Sequence, residues 1–133
     1  MKKLPILIVA LAIMALLLAA CGGGDSGPTT LSFEGADTFE YTPSSATVSA
    51  GDQVELTLNN AGALEHSWVL VPNDVDVATV SDADTIDSAT TGAVPAGESK
   101  TITFTAPAAG TYKFVCTIPG HAAAGMVGTL TVN

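Results

Sequence analysis

Arginine is absent from this 133-residue chain, and lysine occurs only as Lys2, Lys3, Lys100 and Lys113 against 13 acidic side chains. A formal net charge of −9 repels phosphate backbones and anionic headgroups, which excludes nucleic acid and electrostatic adhesion to lipid. Partners should be basic or apolar. Histidine is nearly missing as well, with His66 and His121 alone, and the cysteines are Cys21 and Cys116. A closed structural zinc site needs four Cys or His ligands, more than the chain offers beyond Cys21. No internal repeat and no nucleotide-type Gly-rich loop is present.

The N-terminus is where long apolar runs are found. Lys2-Lys3 precede an apolar stretch from Leu4 to Ala20, followed by Cys21-Gly22, the layout of a secretory signal. Small residues before a cysteine resemble a bacterial lipoprotein signal, with Cys21 as the lipidated first residue after cleavage. A retained anchor, short against the roughly 20 residues a span needs, and an ordinary secreted protein are the alternatives. Each places the rest of the chain outside the cytoplasm. The expected organisation is a signal peptide over 1–20, a flexible tether over 21–30 and one domain over 31–133. A coil from Gly22 to Thr30 reaches roughly 15–18 Å, so the domain would sit close to its membrane.

Beyond the tether the pattern has a period of two. Val54, Leu56 and Leu58 alternate with polar residues, as do Ile102 with Phe104, Tyr112 with Phe114 and Cys116, and Leu130 with Val132, which predicts half-buried strands. His66–Val71 reads as a strand buried on both faces, and Leu31–Phe33 and Ala46–Ser49 as edge strands. Turn residues at Gly51-Asp52, Asn59–Gly62, Pro95–Gly97 and Pro107–Gly110 punctuate the runs, which gives an all-β sandwich. Near 72–98 the chain leaves this pattern for an irregular excursion, with a helical turn expected at Val75–Val80. Asp74, Asp76, Asp82, Asp84 and Asp87 make it either a solvated loop or a patch that steers a positive partner.

Chemistry concentrates in Cys116-Thr-Ile-Pro-Gly-His121-Ala-Ala-Ala-Gly-Met126. A thiolate, an imidazole and a thioether on one loop, with His66 as a second imidazole, make up the donor set of a blue-copper electron-transfer site. Gly at position 120 leaves no second thiolate for a binuclear centre. With both histidines assigned to metal, no nucleophile, base and orienter set remains, so the chain is not expected to be an enzyme. The backbone N–H groups of Ser67 and Ile118 are placed to donate to the Cys116 sulfur. Proline at 118 would remove one donor, and Ile118→Pro is then expected to raise the reduction potential.

The loop, together with Glu65-His66-Ser67-Trp68-Val69-Leu70, resembles the cupredoxins, and auracyanins and azurins most. The resemblance implies a Greek-key sandwich of about eight strands and one copper cycling between Cu(I) and Cu(II). By this likeness His66, Cys116 and His121 are equatorial ligands and Met126 the long axial one. The gap from His121 to Met126 matches auracyanins. Azurins have Asn where this chain has Ser67, so a hydroxyl must remake the bridge between the ligand loops, and they offer a weak fifth contact where this chain has the Glu65 carbonyl. The implied role is a monomeric carrier tethered by Cys21, shuttling electrons between membrane-associated complexes of a photosynthetic or respiratory chain. Ala61, Ala63, Leu64, Ile118, Pro119 and Ala122–Ala124 are expected to form an apolar patch around His121, where a cytochrome or membrane complex docks. The competing reading is an extracytoplasmic copper storage protein or chaperone without electron transfer.

Overall fold

Alternation along β4 sets the core. In the computed structural model, which describes residues 27–133, Val54, Leu56 and Leu58 are fully buried while Gln53 and Glu55 are exposed. Eight strands follow in order: β1 (Thr29–Ala36), β2 (Glu40–Thr42), β3 (Ser45–Val48), β4 (Gln53–Asn60), β5 (Val69–Pro72), β6 (Ser99–Thr105), β7 (Gly110–Val115) and β8 (Val127–Val132). They form two four-stranded sheets, β2-β1-β4-β6 and β3-β8-β7-β5. β1 runs parallel to β4 and β3 parallel to β8, pairings no hairpin can make, so the chain crosses between layers. This is the expected sandwich. The leader over 1–20 and Cys21 lie outside the described residues, and β1 starts at Thr29, inside the stretch expected as tether.

Aromatic rings fill the space between the sheets at the end that carries the ligands. Phe114 on β7 lies 4.8 Å from Phe33, 5.2 Å from Tyr41 and 5.4 Å from Trp68, centroid to centroid. The short strand β2, which the sequence pattern did not reveal, brings Tyr41 into this cluster. Its hydroxyl donates to the Ser67 carbonyl, and burial pushes its pKa well above the usual phenol value.

The excursion after β5 covers the outer face of the second sheet. Val69, Val71 and Val115 point away from the main core, and Val75, Val77, Val80 and the buried Ala122 pack on them. That cover is why β5 is apolar on both faces. In place of the expected helical turn at Val75–Val80, the Thr79 N–H donates to the Asp76 carbonyl and closes a turn. A short 3-10 helix forms further on, at Asp82–Asp84, where Ser81 and Asp84 cap each other. Lys113 Nζ donates to the Val75 carbonyl at 3.2 Å and ties the excursion to β7.

Gly128 on β8 is demanded by close approach. A Cβ there would lie 2.1 Å from the Phe114 ring and 2.7 Å from the Ser44 carbonyl oxygen. Gly128→Ala should therefore lower stability by about 1–3 kcal/mol through overpacking. An unchanged urea midpoint would show that the Phe114 ring, which lies across Gly128 from the neighbouring strand, can move aside at no cost.

Candidate metal centre

The register of β5 against β7 assembles the site. Val69 pairs with Val115, so two residues further the antiparallel ladder sets Ser67 opposite Thr117, beside His66 and Cys116. His66 is held in a two-way bridge with Val94: its N–H donates to the Val94 carbonyl at 3.2 Å and its carbonyl accepts the Val94 N–H at 2.8 Å. The loop leading to it is shaped by Asn60, whose amide donates to the Leu64 and Val94 carbonyls and whose oxygen accepts the Gly62 N–H.

Cys116 directly follows β7, with its N–H donating to the Met126 carbonyl at 3.2 Å. The loop between them closes on itself. His121 N–H donates to the Ile118 carbonyl, and Met126 N–H to the His121 carbonyl. Gly120 and Gly125 take positive φ angles of 85° and 117° and permit these turns. The Met126 side chain is fully buried, and its methyl group and the His66 Cβ both flank Gly35, where a Cβ would meet them at 3.1 and 3.4 Å.

Among the described residues, His66, Cys116 and His121 offer donor atoms that all lie within 4.8 Å of one another, and all three are buried. Cys116 Sγ sits 3.5 Å from His121 Nδ1. His66 Nδ1 is buried with no hydrogen-bond partner, a costly state for a ring nitrogen unless a ligand completes it. Two imidazole nitrogens and one thiolate, all buried, fit a soft, borderline metal such as copper. Burial, and then the neighbouring His66, hold the His121 pKa below the usual imidazole value, which favours the neutral form a metal needs.

The sulfur accepts the Ser67 N–H at 3.3 Å, as expected. The expected second donor is missing: Ile118 makes no hydrogen bond to Cys116, and its carbonyl instead closes the turn to His121. Ile118→Pro thus has no sulfur bond to remove, and the expected rise in potential lapses. Its direction also reverses on physical grounds. A hydrogen bond holds negative charge on sulfur, charge that Cu(II) draws off and Cu(I) leaves in place, so such bonds favour the reduced state. Ser67 does remake the bridge between the loops, its Oγ accepting the Thr117 N–H at 2.9 Å and lying 3.1 Å from Thr117 Oγ1. Ala122 is 4% exposed and packs inward, so it drops out of the expected surface patch.

The turn between β1 and β2 supplies two residues that the sequence did not single out. Phe39, at φ 59°, sets its ring 4.8 Å from that of His121. Asp37 lies 3.1 Å from His66 Nε2, and it also accepts the Ala63 and Leu64 N–H groups at 2.8 and 3.2 Å. Those two backbone bonds, and then His66, hold its carboxyl below the ordinary range against partial desolvation. An ionised carboxylate only accepts, so His66 carries its proton on Nε2 and keeps the Nδ1 lone pair for metal. Gly62 leaves room for this contact, since a Cβ there would fall 2.0 Å from Asp37 Oδ1. Asp37→Ala should weaken Cu(II) binding by about 10–100-fold in chelator competition while far-ultraviolet dichroism is unchanged. Unaltered affinity would mean that loop packing alone orients His66.

Comparison with known proteins agrees with this geometry. Residues 29–133 match the copper binding proteins of the plastocyanin/azurin family. Auracyanin-A of Chloroflexus aurantiacus is 34% identical over an alignment of 154 positions that takes in 95% of this chain and 94% of the relative. The structure of dithionite-reduced auracyanin from Roseiflexus castenholzii superposes with a TM-score of 0.69 at 35% identity, covering 80% of this chain and 99% of that one. The copper-resistant cuproprotein CopI of Rubrivivax gelatinosus is 33% identical over 104 residues, 74% of this chain and 62% of its own length. With its eight strands in two sheets and its buried His-Cys-His donor set, this chain belongs to the plastocyanin/azurin family of blue copper electron carriers, and copper is its cofactor.

Proposed function

We propose that this protein is a monomeric one-electron carrier, not an enzyme, that works outside the cytoplasm and is held to its membrane by a lipidated Cys21. The observation that carries the reading is the buried cluster in which the unpartnered His66 Nδ1 lies close to the donor atoms of Cys116 and His121. Copper supplies the Cu(I)/Cu(II) couple. The chain keeps the donors in place beforehand: Asp37 orients His66, the Ser67 N–H supports the sulfur, and Phe39 and the 118–126 turns hold His121. Met126, buried at the same end of the sandwich, is proposed as the axial ligand. A pocket fixed by protein bonds changes little between oxidation states, which lowers the cost of moving an electron.

Partners are proposed to be redox proteins of membrane-associated chains, a cytochrome or a membrane complex, that dock where His121 nears the surface. Leu64, 46% exposed, is the large apolar side chain most open to solvent among the described residues, and its loop is tied to Asp37 and hence to His66. A weak apolar contact permits fast release. The acidic excess, with Asp74, Asp76 and Asp87 exposed on the excursion, draws basic partners to the surface.

The similarity to CopI supports a second reading, copper binding for resistance or storage without electron transfer. Repeated cycles of ascorbate and ferricyanide on the copper-loaded full chain separate the two. A carrier loses and regains its visible absorption without losing metal, and its electron exchange with a cationic cytochrome slows as salt is raised. Release of copper on reduction, or exchange too slow to follow in a stopped-flow mixer, would favour storage.

A further inference from the structure

A chain of hydroxyl contacts connects the acidic excursion to the Cys116 sulfur. Asp82 opens the 3-10 helix, and the reciprocal Ser81 and Asp84 caps fix its backbone. Its Oδ1 accepts the Thr117 hydroxyl at 2.5 Å, the length of a charge-assisted O–H···O⁻ bond. Thr117 Oγ1 lies 3.1 Å from Ser67 Oγ, and Ser67 Oγ lies 3.8 Å from Cys116 Sγ.

Counting protons orders this chain. An ionised carboxylate can only accept, so the one hydroxyl proton of Thr117 is committed to Asp82. The contact between the two hydroxyl oxygens still needs a proton between them, and the only one left belongs to Ser67. Its O–H therefore points to Thr117 and away from the sulfur. The distances agree, since the sulfur is 3.8 Å from the Ser67 hydroxyl against 3.3 Å from the Ser67 N–H. Without Asp82, Thr117 would donate to Ser67, and the Ser67 proton would be free to turn to Cys116.

We propose that Asp82 is a positioning residue for the redox site: by holding the Thr117 hydroxyl it keeps the Ser67 hydroxyl off the Cys116 sulfur and sets the reduction potential lower. The inference rests on the blue-copper reading. It gives the excursion a second role beside covering β5, because a surface carboxylate 35 residues from Thr117 in sequence then acts on the copper ligand. The sign follows from the thiolate argument above: one more hydrogen bond to sulfur favours Cu(I) and raises the potential.

The test is voltammetry and visible spectroscopy on the copper-loaded full chain. Thr117→Val changes no charge, and it should raise the potential and move the thiolate-to-copper band to higher energy. Thr117→Ser, which keeps the hydroxyl, should restore both. In a Ser67→Ala background the Thr117→Val shift should vanish. Asp82→Ala, at an exposed site, should raise the potential by more in the parent than in the Thr117→Val background, where only the lost charge remains to act. An unchanged or lower potential in Thr117→Val, or an equal Asp82→Ala shift in both backgrounds, overturns the relay while a persisting blue band leaves the carrier reading intact. Absence of the band in the unsubstituted protein would overturn that reading instead.

Discussion

The metal centre depends on the register of β5 against β7. With Val69 opposite Val115, Ser67 lies within reach of both Cys116 and Thr117, and the Ser67 N–H meets the sulfur. A slip of one residue would turn His66 and Trp68 together to the other face and separate the three donors. That register is pinned by burial on both sides. Leu70 and Phe114 pack into the main core, while Val69, Val71 and Val115 pack under the excursion, so no shifted pairing buries as much. The excursion is thus part of what holds the site, although its surface is acidic and its backbone irregular.

A second consequence of that packing is rigidity. Beneath the ligands stand Trp68, Phe114, Phe33 and Tyr41 in mutual ring contact, and Tyr41 bonds the carbonyl of Ser67. Above them the β1–β2 turn reaches both imidazoles, Asp37 by a hydrogen bond and Phe39 by its ring. Asp37 orients His66 through Nε2, the Ser67 N–H holds the Cys116 sulfur, and the Phe39 ring packs on His121. The cost of gathering two imidazoles and a thiol in a dry space is met when the chain folds. A site so prepared has little left to rearrange when the charge at its centre changes by one unit.

Much of this was legible in the sequence, because strands buried on one face must alternate and the donor residues are so few that each is conspicuous. Seven of the eight strands carry visible alternation or apolar runs. β2 does not: Glu40-Tyr41-Thr42 is too short for a period, and Pro43 follows it at once. Asp37 gave no signal either, since an aspartate in a turn is usually there for the turn, and its approach to His66 exists only once β1 and β4 lie side by side. The valines of the excursion were outweighed by its aspartates, although Val75, Val77 and Val80 are the residues that dock it. Ile118 shows the opposite error. Spacing alone offered its N–H to the sulfur, and the turn to His121 directed the peptide elsewhere.

The central claim, that His66, Cys116 and His121 converge on one copper through a thiolate bond, is tested most directly by the electron paramagnetic resonance and visible spectra of the protein with one equivalent of Cu(II). The account predicts an intense charge-transfer band and a narrow copper hyperfine splitting, both lost in Cys116→Ser. A pale protein with the wide splitting of a tetragonal nitrogen and oxygen site, unchanged in Cys116→Ser, would contradict it.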